Sequence, residues 1–155
     1  MIGVTEAGFA VALAVAAATD LRLRIIPDSV PLAVLALFAI KALLGDAPAW
    51  PWHLTVGAGA FAIGLVLFAR GWMGGGDVKL IPAVAVWAGP DRLALFLLAT
   101  TLAGGVLALV MLARRRLLAD DRSEDAPQDR EIPYALAIAT GGAALLWAGP
   151  ASAAL

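Results

Sequence analysis

At 155 residues, 62% of them apolar and only 15% charged, the chain lacks the polar surface that a soluble domain of this size requires. Its net charge of −1, with the basic residues scattered over short connections, offers no basic face for nucleic acid. The absence of cysteine excludes disulfides, thiolate zinc sites and thiol nucleophiles together. The expected class is an all-α membrane protein, a single membrane-embedded domain over residues 1–155 with lipid as its solvent.

The first apolar run covers about 3–19, and Ala16-Ala17-Ala18 resembles a signal-peptide cleavage site. No basic residue precedes the run, however, and Glu6 stands where a positive segment belongs, so it reads as a retained membrane helix. It closes at Asp20, followed by Arg22, Arg24 and Ile26-Pro27-Asp28. Asp28 is placed to cap a second helix over about 30–45, since Asp is a favoured capping residue. A third run, about 54–69, follows His53, which reads as an interfacial residue rather than a base. Next comes Gly74-Gly75-Gly76-Asp77-Val78-Lys79-Leu80, an acid beside three glycines, leading into a fourth run over about 78–89. A fifth run spans about 93–113 and a sixth about 132–148. Between them lies a polar loop, about 114–131, whose five arginines oppose six acids; it reads as a solvated loop. Trp-Ala-Gly-Pro occurs at 87–90 and again at 147–150, a shared helix-ending device rather than a repeat. Runs this long and this rich in Ala, Leu and Val span as helices, giving six transmembrane helices. Several fall short of the roughly 20 residues of a full span, so a compact bundle is expected.

Lysine and arginine set the orientation. Arg22, Arg24, Arg70, Lys79, Arg114, Arg115, Arg116, Arg122 and Arg130 lie on one side, against Lys41 and Arg92 on the other. The richer side belongs in the cytoplasm, which puts both termini outside. Trp50, Trp52, Trp87 and Trp147 then fall near the outer boundary as an aromatic belt, with Trp72 at the inner one. Under this topology Asp20 and Asp77 share the cytoplasmic face. An acid at membrane depth is costly, about 2.5–3.5 kcal/mol on insertion scales, so two at the ends of apolar segments point to a site.

Two neighbouring carboxyls share a proton more readily than they both ionise. One then takes a proton from water while the other polarises a peptide carbonyl, which is peptide hydrolysis without metal, thiol or serine. The one histidine, His53, lies on the outer side, so a His-based triad beside these acids is excluded. Gly74, Gly75 and Gly76 permit positive φ and close approach of a substrate strand. Lys79 either offsets the charge of the acids or reaches to the membrane boundary.

The segment 74–80 resembles the GxGD signature of membrane-embedded aspartyl proteases. Asp20 with its following basic residues and Ile26-Pro27-Asp28 resembles the other half of the prepilin peptidase pattern, with Asp where Asn is usual. Ile132-Pro133-Tyr134 resembles the Pro-Tyr helix of the short Tad/Flp-pilus members. The resemblance implies a GxGD architecture with catalytic Asp20 and Asp77, and Gly74, Gly75, Gly76 and Lys79 as supporting residues. It implies no cofactor, and prepilin substrates cut at the cytoplasmic face of the bacterial inner membrane, usually after Gly. Methyltransferase activity is not implied, because the cysteine-rich domain of the bifunctional members has no counterpart here. A preflagellin-type peptidase is the nearest alternative. A small proton or ion transporter built on the same acids calls for more midplane polarity than Thr55, Thr100, Thr101 and Thr140 supply.

Overall fold

A computed structural model describes residues 3–117 and 134–148, all of them helix or short connection. The helices are α1 (Val4–Leu23), α2 (Ser29–Leu43), α3 (Trp50–Ala69), α4 (Gly75–Leu117) and α5 (Tyr134–Trp147). Five elements stand where six helices were expected, because the fourth and fifth apolar runs follow each other within α4 as two helices joined across a kink. That element is broken at Gly89, whose φ of 62° and ψ of −176° lie outside helical geometry. Glycine takes such a conformation without steric cost, and Pro90 then opens the second segment with a φ already suited to a helix. The Trp-Ala-Gly-Pro device thus ends a helix at 87–90, though the two segments run on almost without a loop. Its second copy, at 147–150, begins at the last residue of α5 and extends outside the described residues. So does most of the polar loop, whose first residues, 114–117, continue α4.

Helix α4 is the central element and packs against α2, α3 and α5, while α1 packs against α2 and α5. From Leu80 to Gly89, with Leu80, Ala83, Val84 and Ala85 fully buried, its first half is apolar on every face, as a bundle-core helix must be. Phe9, Leu13, Val34, Phe96 and Ile138 complete the core. Small residues let the helices approach: a Cβ on Gly57 would strike Val86 across the α3–α4 contact, and one on Gly142 would strike Leu13 across α5–α1. The outward faces stay apolar, with Ile63, Leu98, Leu102, Val106 and Leu109 exposed. α1, α3 and α4 are long and apolar enough to cross a membrane. In that solvent the exposed side chains meet lipid rather than water.

The end of the bundle remote from the two acids is tied by polar contacts. Glu6 of α1 pairs with Lys41 of α2, and the Lys41 ammonium lies 5.3 Å from the Trp87 ring centroid. Trp87 stacks on Phe9 at 4.2 Å and donates its indole N–H to the Val34 carbonyl at 2.8 Å. It is therefore an internal packing residue and not part of an aromatic belt, whereas Trp50, Trp52, Trp72 and Trp147 are exposed. Its indole fits the gap between α1 and α2, where it meets both an aromatic face and a backbone carbonyl.

Candidate active site

Asp20 lies in the last turn of α1, which continues to Leu23 instead of closing at the acid. Asp77 lies in the first turn of α4, which begins at Gly75. Antiparallel traffic through the bundle brings these two ends to one side. Both carboxyls are partly buried, both line the same cleft of about 1240 Å³, and they are near enough for their charges to interact. The start of α5 joins them there, with the Ala135 amide donating to the Asp20 Oδ2 at 3.0 Å. The apolar wall of the cleft comes from Ile63, Gly64 and Leu67 of α3 and from Phe96 and Leu97 of α4. This arrangement sets two acids at the polar end of a groove that runs along hydrophobic helix surface.

The glycines act differently from expectation. The positive-φ glycines of the described residues are Gly45, Gly71 and Gly89, so Gly74, Gly75 and Gly76 adopt ordinary backbone. The turn before α4 is carried by Gly71, with φ of 71°. Gly76 is instead required for close approach, since a Cβ there would lie 3.0 Å from Ile26 Cβ and Cδ1. The segment after Asp20 is thereby seated directly on the start of α4. A Cβ on Gly74 would come within 3.3 Å of the Asp77 Oδ2, so its absence leaves room beside that carboxylate. Gly75 faces Phe68 at an ordinary contact distance of 3.6 Å.

Asp28 also departs from expectation. It stands at the N-cap position of α2, but its carboxylate makes no capping bond. It pairs with Lys79 at 2.7 Å, across the cleft mouth between the α1–α2 connection and α4. Its φ of −61° and ψ of −22° are already helical, whereas a capping side chain needs an extended backbone to fold back on the first turn. Lys79 is thus engaged with Asp28 and is half exposed, while Asp28 is largely exposed.

His53 is remote from the acids, and its Nδ1 donates to the Val86 carbonyl at 2.7 Å, beside Gly89. Two groups at or beside the cleft were not singled out as site residues from sequence. The Ala135 amide left no signal, since a backbone donor has none, although the Pro-Tyr pattern pointed to its neighbourhood. Thr100 lines the cleft and is buried, its hydroxyl without a hydrogen-bond partner among the described residues. Its signal was a hydroxyl within an apolar run. No group of three or more His, Cys, Asp or Glu side chains comes together as a metal site among the described residues.

No curated protein and no solved structure matches the chain. The family model of the type IV leader peptidase family matches residues 7–109, a stretch that contains both Asp20 and Asp77 and ends within the second half of α4. With two thirds of its length matched, the chain belongs to the type IV leader peptidase family.

Proposed function

We propose that this peptidase is an intramembrane aspartyl endopeptidase that removes the leader of Tad/Flp-like type IV prepilins at the cytoplasmic face of the inner membrane. The observation that carries the reading is the meeting of Asp20 and Asp77 in one cleft, from helices at opposite ends of the matched segment. One carboxylate takes a proton from a cleft water as its oxygen attacks the scissile carbonyl. The other, protonated, gives its proton to the carbonyl oxygen, and the resulting tetrahedral species collapses with proton return to the leaving amine. The apolar wall of α3 and α4 suits a substrate whose cut site adjoins a hydrophobic helix. Expression together with candidate prepilins tests this. The precursor is expected to shorten by its leader in the presence of the wild-type chain and to stay intact with Asp20→Asn or Asp77→Asn. Precursors that remain full length beside the folded wild-type protein would remove the prepilin assignment.

A further inference from the structure

We infer that the backbone amide of Ala135 is a positioning group for Asp20, so that α5, which lies beyond the matched residues 7–109, completes the catalytic apparatus. The inference rests on the peptidase reading above. Ala135 is the second residue of α5, and the first four amides of a helix have no acceptor within it. Here one such amide finds its acceptor 115 residues away in sequence, the Oδ2 of Asp20 at 3.0 Å. A carboxylate at a helix N-terminus gains from both a charge-assisted hydrogen bond and the local helix dipole. With Oδ2 held, the carboxyl plane of Asp20 is fixed and its other oxygen is left for water and substrate.

The placement of α5 is itself tight, which gives the amide little freedom to wander. Ala135 is fully buried. A Cβ on Gly142 would strike Leu13 of α1, one on Gly141 would strike the Thr100 hydroxyl of α4, and the Tyr134 ring rests on Gly104. α5 is therefore wedged between the helix that carries Asp20 and the second segment of the helix that carries Asp77. Polar groups near a reacting centre act through geometry, and small displacements cost large factors in rate.

Replacing Ala135 by lactic acid in the full-length chain converts the amide to an ester, which removes this N–H and keeps the side chain while weakening the Tyr134 carbonyl as an acceptor. The expected result is a fall in kcat of roughly ten- to hundredfold with KM for the prepilin little changed, the scale of a lost hydrogen bond to a charged group. Ala135→Gly retains the N–H and is expected to keep kcat within about threefold. Equal kcat in the ester and glycine variants, whether both normal or both low, would overturn the role. A second measurement needs neither substrate nor the ester. The Ala135 amide should exchange slowly with solvent deuterium in the wild type and in Asp20→Asn, whose side-chain oxygen still accepts, and faster by about tenfold or more in Asp20→Ala. Exchange that is the same in all three overturns the inference. Slow, Asp20-dependent exchange in a protein that cleaves no prepilin sinks the prepilin assignment instead, and the catalytic half of the inference with it.

Discussion

Among the described acids, Asp20 and Asp77 are the two partly buried at a shared cleft, and their neutral isosteres isolate the chemistry from the fold. Asn keeps the shape and can still accept the Ala135 amide, so Asp20→Asn and Asp77→Asn are expected to insert normally and to lose cleavage by at least about a thousandfold, as loss of an acid–base partner implies. Leader removal followed by mass spectrometry reads this, and appreciable turnover by either variant would take that residue out of the reaction. Asp28 makes the contrasting case. Its pair with Lys79 is solvent-exposed, and such pairs contribute about 0–1 kcal/mol, so Asp28→Asn is expected to retain activity. Inactivity on a par with Asp20→Asn would mean that the reacting carboxyl near α1 is Asp28. Among the glycines the geometry singles out position 76. Gly76→Val forces a side chain onto Ile26 and is expected to cost about 1–3 kcal/mol and to lower turnover, whereas Gly75→Val meets only an ordinary contact. Thermal unfolding and cleavage of both variants check the order, which reverses if backbone freedom at 75 is what matters. The acids were legible because a carboxylate in an apolar chain is conspicuous. The roles of Gly76 and of Asp28 were not, because both depend on what the α1–α2 connection touches, and that contact is set by the whole bundle.

The elements of the bundle were legible from apolar runs alone, since a spanning segment has few alternatives to a helix. Their ends and continuity were less so. α3 starts at Trp50 rather than 54 because Pro51 fits the first helical turn, and Trp and His are no bar to helix. The break in α4 is the more instructive case. The backbone turns at Gly89, and the carbonyls of the preceding turn lose their intrahelical donors. His53 supplies one, donating from Nδ1 to the Val86 carbonyl. A histidine in such a role is a structural partner of the kink, which explains its position at the end of the bundle remote from the acids. His53→Ala is expected to lower stability by about 1–3 kcal/mol, the cost of leaving a buried carbonyl unpaired, with cleavage by the folded fraction unchanged. Melting in detergent and specific activity per folded enzyme measure the two halves. A variant as stable as the wild type means that water or another donor serves Val86, and a selective fall in kcat means that the kink governs the acids.

At the scale of the whole molecule, the two ends of the bundle differ in kind. One end holds the acids, the exposed Asp28–Lys79 pair and the open cleft. The other is laced by Glu6, Lys41, Trp87 and His53 in contacts that bridge α1, α2, α3 and α4. A cleft that opens at one end and a bundle pinned at the other suit a peptidase that admits a chain from one side of the membrane. The charge pattern predicts which side. Arg22, Arg24, Arg70 and Lys79 surround the open end, while Lys41 and Arg92 are the basic residues of the pinned end. Arginine and lysine resist translocation, so the open end is expected in the cytoplasm. The chain is free of cysteine, so single-cysteine variants need no background substitutions. Arg70→Cys, beside the cleft, should react with an impermeant maleimide only after the inner face of the membrane is exposed. Asp46→Cys, in the exposed turn after α2, should react in sealed cells once the outer membrane is permeabilised. The opposite labelling would place Asp20 and Asp77 outside the cytoplasm, where a leader still awaiting export of its pilin is out of reach. The same pattern at both positions would mean that α3 does not cross the membrane, since a single crossing separates residues 46 and 70.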